Sequence, residues 1–313
     1  MPAAPTPRTT PTRSWVLVVL ALVVLLIVGA VVVVLLVQLQ GSPAAERTGA
    51  TPTAAPPGTA ASAPRQNQHP ASTLVVRPPR SSRPLQVFDY GWFSVGYDNE
   101  RRAGAWGRYE LDGPITHTAS QPRRPTFRTE TRSTRQVTTK DYTNPGNVFE
   151  RGHIVPSYAM WSRFGDEART ATFVMTNVFP QDGDLNGRVW EDIEDDIAGQ
   201  AKGGVVTDEG YAGRLRHITV IAGPVYGSTS RYLPSGIPVP DACFQVIYDL
   251  EEQASRLRAR AYLVENKPGV PGPPSRYAKT IREIESVTGL DFMPENGPAI
   301  DALELAPAVR GSW

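Results

Sequence analysis

The chain almost lacks cysteine: Cys243 stands alone among 313 residues. An intrachain disulfide and a multi-cysteine zinc site are therefore excluded. Any metal must sit on oxygen or imidazole, which favours magnesium, manganese or calcium. Histidine is also scarce, with four residues. A net charge of +1 excludes a chain that acts as a polycation throughout. No helix-turn-helix, zinc-finger or basic-helix pattern is present that would read base edges. There is no internal repeat.

Charge is missing altogether from Trp15 to Val37, a run of 23 apolar residues. At about 1.5 Å per residue this run spans a hydrocarbon core of roughly 30 Å. Arg8 and Arg13 precede it without an acidic residue, and Glu46 is the first charge after it. The positive-inside rule then puts the N-terminus in the cytoplasm. A cleaved signal peptide is the rival reading, because Pro43-Ala44-Ala45 follows. Signal h-regions run about 7–15 residues, shorter than this segment. The expected organisation is a cytoplasmic tail at 1–14, a transmembrane anchor at 15–37, a linker at 38–83 and a folded extracytoplasmic domain at 84–313. A bacterial plasma membrane is favoured, with a mitochondrial inner membrane as the alternative. The linker is rich in Pro, Ala, Thr and Ser and has no apolar period, so it is expected to be a disordered stalk.

From Leu85 onward the texture changes. Val87–Tyr90, Phe93–Tyr97 and Gly107–Leu111 alternate apolar and polar residues and read as short antiparallel strands. His217–Ala222 reads as a buried strand, with a turn expected at Gly223-Pro224. Ala242–Leu250 and Ala259–Val264 read as two strands of a hairpin. Apolar residues at 189, 190, 193 and 197 have the helical period, and 275–288 is a second helix candidate closed by Gly289. Strands and helices do not alternate regularly, so the fold class is α+β, with a central antiparallel sheet flanked by helices. Residues 84–313 hold 25 basic and 30 acidic side chains, yet 101–151 hold ten Arg or Lys against five acids. That local excess fits either a basic face for a polyanion or an ordinary solvated surface.

Chemistry concentrates in Glu150-Arg151-Gly152-His153 and in Leu185-Asn186-Gly187-Arg188-Val189-Trp190, with Glu194 beyond. Imidazole titrates near neutrality and accepts a proton from water. A guanidinium stabilises the charge of a phosphoryl transition state. On a strand, positions 151 and 153 share a side. Asn186 offers a neutral oxygen suited to magnesium, and Glu194 lies about two helical turns on. Taken singly, Asn186 reads better as a helix cap and Glu194 as a surface carboxylate.

Together, Glu150–Pro156, Thr176–Gln181 and Leu185–Trp190 with Glu194 resemble the DNA/RNA non-specific endonucleases, the ββα-metal group containing endonuclease G and the Serratia-type nuclease. The resemblance covers roughly residues 87–295, through Val95–Asp98, Ile221–Tyr226, Ile237–Pro240, Phe244–Ile247 and Glu285–Phe292. It implies a metal-dependent, sequence-non-specific endonuclease acting on DNA, RNA or both, leaving 5′-phosphate and 3′-hydroxyl ends. His153 would be the general base, Asn186 the protein ligand of a single Mg²⁺ (or Mn²⁺), and Glu194 would hold a water of that ion. Asn177 would help order the site. Arg151 would contact the phosphate or order the metal-site network, and an upstream arginine, Arg124 with Arg123 close behind, would lie near the scissile phosphate. Dimerisation, as in some relatives, is left open. The motif begins with Glu150 where relatives usually carry Asp. Two other functions stay in view: a non-catalytic polyanion-binding protein of the same fold, and a phosphodiesterase on a smaller substrate.

Overall fold

The computed structural model describes residues 76–112, 115–117, 122–201, 205–206, 217–227, 231–251, 256–294 and 298–306. The expected tail, the anchor at 15–37 and the linker up to residue 75 lie outside the described residues. Among the described residues no helix is long and apolar enough to cross a membrane.

In chain order the strands are β1 (Arg80–Ser81), β2 (Gln86–Asp89), β3 (Phe93–Asp98), β4 (Ala103–Leu111), β5 (Phe149–His153), β6 (Val178–Asp182), β7 (Gln200–Ala201), β8 (Val205–Val206), β9 (His217–Val225), β10 (Ala242–Glu251), β11 (Arg256–Glu265), β12 (Ala278–Lys279) and β13 (Leu290–Asp291). The helices are α1 (Ser157–Thr172), α2 (Glu191–Ala198), α3 (Ile281–Thr288) and α4 (Pro298–Glu304). Seven strands form one antiparallel sheet in the order β12-β11-β10-β9-β4-β3-β2. The class is α+β, as the mixed pattern of strands and helices implies.

Both faces of the sheet are covered, and the two-residue period of its strands sorts side chains between them. On β9, Ile218, Val220 and Ala222 face the core that holds Met160 of α1 and Ile193 and Ile197 of α2. Ile221 faces the opposite core, with Ile281 and Ile284 of α3 and Ile300 of α4. On β10, Cys243 and Ile247 point to the first core, while Phe244, Val246 and Tyr248 point to the second. Cys243 is fully buried, as its place in an apolar strand implies. A third cluster, with Phe127, Tyr142, Phe173 and Val178, packs under the 127–142 loop.

Several boundaries differ from expectation. The fold begins before residue 84, since Val76 is buried and β1 pairs with β13. Gly223-Pro224 is not a turn: β9 runs through it to Val225 against β10. Pairing with β4 ends at Ala222, so Pro224 occupies an edge position where a missing N–H is tolerated. The second helix starts at Ile281 rather than 275. Thr280 and Glu283 form a reciprocal capping box there, and Ala278–Lys279 are instead drawn into the sheet edge.

Candidate active site

The site is built on a β-β-α unit. β5 pairs antiparallel with β6, placing Arg151 opposite Pro180 and Gly152 opposite Phe179. Gly152 has no room for a side chain: a Cβ there would lie 2.0 Å from Oε1 of the buried Gln181. With Gly152 turned inward, Arg151 and His153 share the other side of the strand and line one cavity of about 530 Å³.

After β6 the chain turns into a helical stretch. Asp182 caps it, accepting from Asp184 N (3.0 Å) and Leu185 N (3.3 Å). The cap reading offered for Asn186 therefore belongs to Asp182. Asn186 opens a π-helical turn, Asn186–Trp190, that feeds into α2. A π-turn widens the helix locally and is common at functional sites. Asn186 is its first residue and Glu194 lies beyond it in α2, and both line the same cavity as His153 and Arg151. Val189, Trp190, Ile193 and Ile197 take the buried face, so Trp190 is core rather than a stacking platform.

The cavity is lined by side chains of both charges. Arg124 and Arg151 supply its cations, while Glu150, Glu191, Glu194 and Asp195 supply its carboxylates. Asn186 Nδ2 donates to Glu150 Oε2 at 2.7 Å. That bond ties back the amide nitrogen, and Asn186 Oδ1 takes no hydrogen bond among the described residues. An oriented, unclaimed amide oxygen beside several carboxylates suits a hard divalent cation. Burial pushes the Glu194 carboxyl up to about 8; Asp195 and Glu191 add to the rise and the Trp190 indole opposes it. The negative charges of Asp195 and Glu191 beside it favour a cation. Elsewhere, Glu285, Asp291 and Glu304 bring carboxylate oxygens within 4.8 Å of one another. There the Arg282 guanidinium already pairs with Glu285 and Glu304.

His153 is framed by aromatic rings rather than by polar partners. Its ring lies 5.2 Å from Phe127 and 4.9 Å from Phe173, and Nε2 is buried without a hydrogen bond among the described residues. Burial, then the nearby Arg124, Arg151 and Arg169, push its pKa down to about 3. The imidazole is thus neutral at physiological pH and able to accept a proton.

The arginines divide by role. Arg124 stacks over Phe127 and Phe173, each at 5.6 Å, and reaches the cavity. Arg151 also lies over the Phe127 ring, at 5.3 Å. Arg123 is exposed and is not part of the cavity wall. Its carbonyl accepts from Arg169 Nη1 at 3.4 Å, and Pro122 O accepts from Arg169 Nη2 at 2.9 Å. Arg169, on α1, is buried and holds the 122–124 loop over His153. Sequence reasoning missed it, since an arginine inside a helix carries no motif.

Asn177 is fully buried and acts as a clamp. Its Oδ1 accepts from Val155 N at 3.0 Å, and its Nδ2 donates to Val155 O at 3.1 Å and Thr172 O at 3.0 Å. It therefore fixes the exit of β5, two residues beyond His153, against the end of α1. Asn144 does the same at the entry: it bonds Phe149 N and O at 3.1 and 2.9 Å. Asn144 was another residue without a sequence signal.

The central antiparallel sheet, together with a β-β-α unit that carries a histidine on its first strand and an asparagine on the helical stretch after its second, matches the fold of the ββα nucleases. Comparisons with known proteins agree. The family model described as "DNA/RNA non-specific endonuclease" matches residues 77–297, and the chain belongs to this family. It is 27% identical over 221 residues to a nuclease of Nostoc sp., covering 66% of this chain and 73% of that one. It is 27% identical over 171 residues to the mitochondrial endonuclease G of Homo sapiens, covering 51% of this chain and 52% of that one. The chain thus spans about half the length of that mitochondrial relative. A crystal structure of an EndoG/EndoGI complex shares the fold, with a TM-score of 0.53 at 17% identity over 67% of this chain and 86% of that chain.

Proposed function

We propose that the protein is a metal-dependent endonuclease that hydrolyses phosphodiester bonds of DNA or RNA without sequence specificity. The observation that carries this reading is one cavity lined by a neutral histidine, two arginines, an oriented amide oxygen and several acidic side chains. Arg124 and Arg151 bind the phosphate oxygens and hold the linkage against His153. Their charge is then offset by the phosphate, so His153 becomes more basic when substrate is in place. His153 takes the proton of the attacking water. Asn186 would hold Mg²⁺ or Mn²⁺ through Oδ1, with Glu194 beside it. A bound divalent ion supplies neutralisation of the charge that develops on phosphate and leaving oxygen. Asn177 and Glu150 are positioning residues, acting through β5 and through Asn186. Direct base reading is absent from the reading, which rests on phosphate contacts alone.

The test uses the purified full chain on plasmid DNA and on RNA, with Mg²⁺, with Mn²⁺ or with EDTA. Metal-dependent cleavage of either polymer is the expected outcome. Binding without cleavage in every metal would favour the polyanion-binding alternative, and hydrolysis restricted to mononucleotide esters would favour the small phosphodiesterase.

The cellular setting is part of the same proposal. The 15–37 run anchors the protein, and the nuclease lies outside the cytoplasm of a bacterial cell. Protease treatment of intact cells should then remove the domain; protection until lysis would reverse the orientation.

A further inference from the structure

A second cleft of about 550 Å³ adjoins the first and shares two of its residues, Arg124 and Arg151. Its far wall carries Lys140, and Thr126, Thr139 and Thr143 add hydroxyls. Phe127 forms its floor, under both guanidiniums. No carboxylate lines it, in contrast to the first cavity. Lys140 is exposed, and its ammonium has no hydrogen-bond or ion-pair partner among the described residues.

The mount of Lys140 is firm. It sits in a 3-10 turn, Thr139–Tyr142, closed by reciprocal bonds between Thr138 and Asp141. Tyr142 Oη donates to Val178 O on β6 at 3.0 Å, and Ser235 Oγ donates to Asp141 O at 2.6 Å. The one acid in the turn, Asp141, is held by Arg102 at 2.7 Å and is not left to pair with Lys140. An unshared cation on a hydrogen-bonded turn, sharing an acid-free groove with two arginines, matches a polyanionic strand rather than a single phosphate.

We propose that this cleft is a subsite for the phosphodiester backbone next to the scissile linkage, with Lys140 contacting the adjoining phosphate. The proposal rests on the nuclease reading for the word scissile, but its test does not need turnover. Arg124 and Arg151 form the ridge between the two clefts. A strand passing over that ridge meets the base and metal residues on one side and Lys140 on the other.

The experiment measures binding of a fluorescein-labelled 20-nucleotide single-stranded DNA to the full chain in EDTA, across a range of KCl concentrations. Lys140→Ala and Lys140→Glu are compared with the parent, with circular dichroism as the folding control. Losing one phosphate contact should lower the slope of log K against log salt by about 0.7 for a single strand. Affinity at 0.1 M salt should fall several-fold for Lys140→Ala and further for Lys140→Glu. In a second arm with Mg²⁺, hydrolysis of bis(p-nitrophenyl) phosphate, which has no adjoining phosphate, should be the same for all three proteins. Unchanged slope and affinity in Lys140→Ala would overturn the subsite, as would a parent that does not bind the 20-mer. Equal losses on the small ester would place Lys140 in the chemistry instead. Weakened binding without cleavage of any substrate by the parent would leave the subsite standing and remove the nuclease reading.

Discussion

Replacing Asn177 by alanine separates a positioning role from a direct catalytic one. The change removes three side-chain hydrogen bonds, to Val155 N, Val155 O and Thr172 O. Each such bond contributes about 1 kcal/mol, and each buried backbone group left without a partner costs about 1–3 kcal/mol. These terms overlap, because a lost bond and its orphaned partner describe one event. Water entering the vacated polar space lowers the total further. The expected loss is about 3–5 kcal/mol, a large fraction of the 5–15 kcal/mol that holds a typical domain together. With a urea m-value near the upper end of about 1–3 kcal/mol/M, the midpoint should fall by roughly 1–2 M. Asn177→Asp provides a control. Its carboxylate still accepts from Val155 N–H but faces two carbonyl oxygens, so it should be as destabilised as the alanine variant at neutral pH. Urea unfolding by fluorescence gives the stability, and turnover at low temperature gives the activity of the protein that is folded. A variant with an unshifted midpoint and turnover reduced a hundredfold would refute the clamp and make Asn177 a participant in the reaction.

Three further outcomes follow from the geometry. Glu150→Ala should weaken Mn²⁺ binding about tenfold, read by direct titration, because it frees the Asn186 amide to turn. Glu150→Gln keeps an acceptor for Asn186 Nδ2 and should stay within threefold of the parent; equal losses in both would show that charge, not orientation, matters. The Glu130 carboxyl, held down to about 2 by Arg132 and by the Tyr90 hydroxyl, stabilises the fold fully above its unfolded value and loses that contribution as pH falls from about 4.5 to 2. Arg132 is 53% exposed, so screening limits the effect to about 1–2 kcal/mol; Glu130→Gln should flatten acid unfolding in that window. The acid limb of kcat/KM reports the base in the free enzyme, so with His153 near 3 it should lie well below the ordinary histidine range. A limb at 6.5 would show that neither burial nor the arginines hold this imidazole down.

The sheet was legible because its strands obey a two-residue period that burial enforces. Ile218, Val220 and Ala222 against Ile221 is the clearest case. The placement of Arg151 and His153 on one side of a strand was legible for the same reason. What escaped reading depends on contacts between distant segments. Gly223-Pro224 has turn composition, but pairing with β10 carries the strand through it. The start of α3 is decided by a capping box that competes with the sheet edge for residues 278–280. The π-turn at Asn186–Trp190 leaves no mark in the apolar pattern. Arg169 and Asn144 support the site through backbone carbonyls and amides, and such bonds carry no residue-type signature. Glu150 was visible as a departure from the family motif, and its bond to Asn186 gives the longer side chain a task.

The central claim is that one cavity performs metal-dependent phosphodiester hydrolysis with His153 as base. The most direct measurement is the single-turnover cleavage rate of plasmid DNA by the full chain and by His153→Ala, each with Mg²⁺ and with EDTA, folding being verified by circular dichroism. The account predicts cleavage by the parent in Mg²⁺ only, and a rate at least a hundredfold lower for the folded His153→Ala protein. Cleavage by His153→Ala at the parental rate, or by the parent in EDTA, would contradict it.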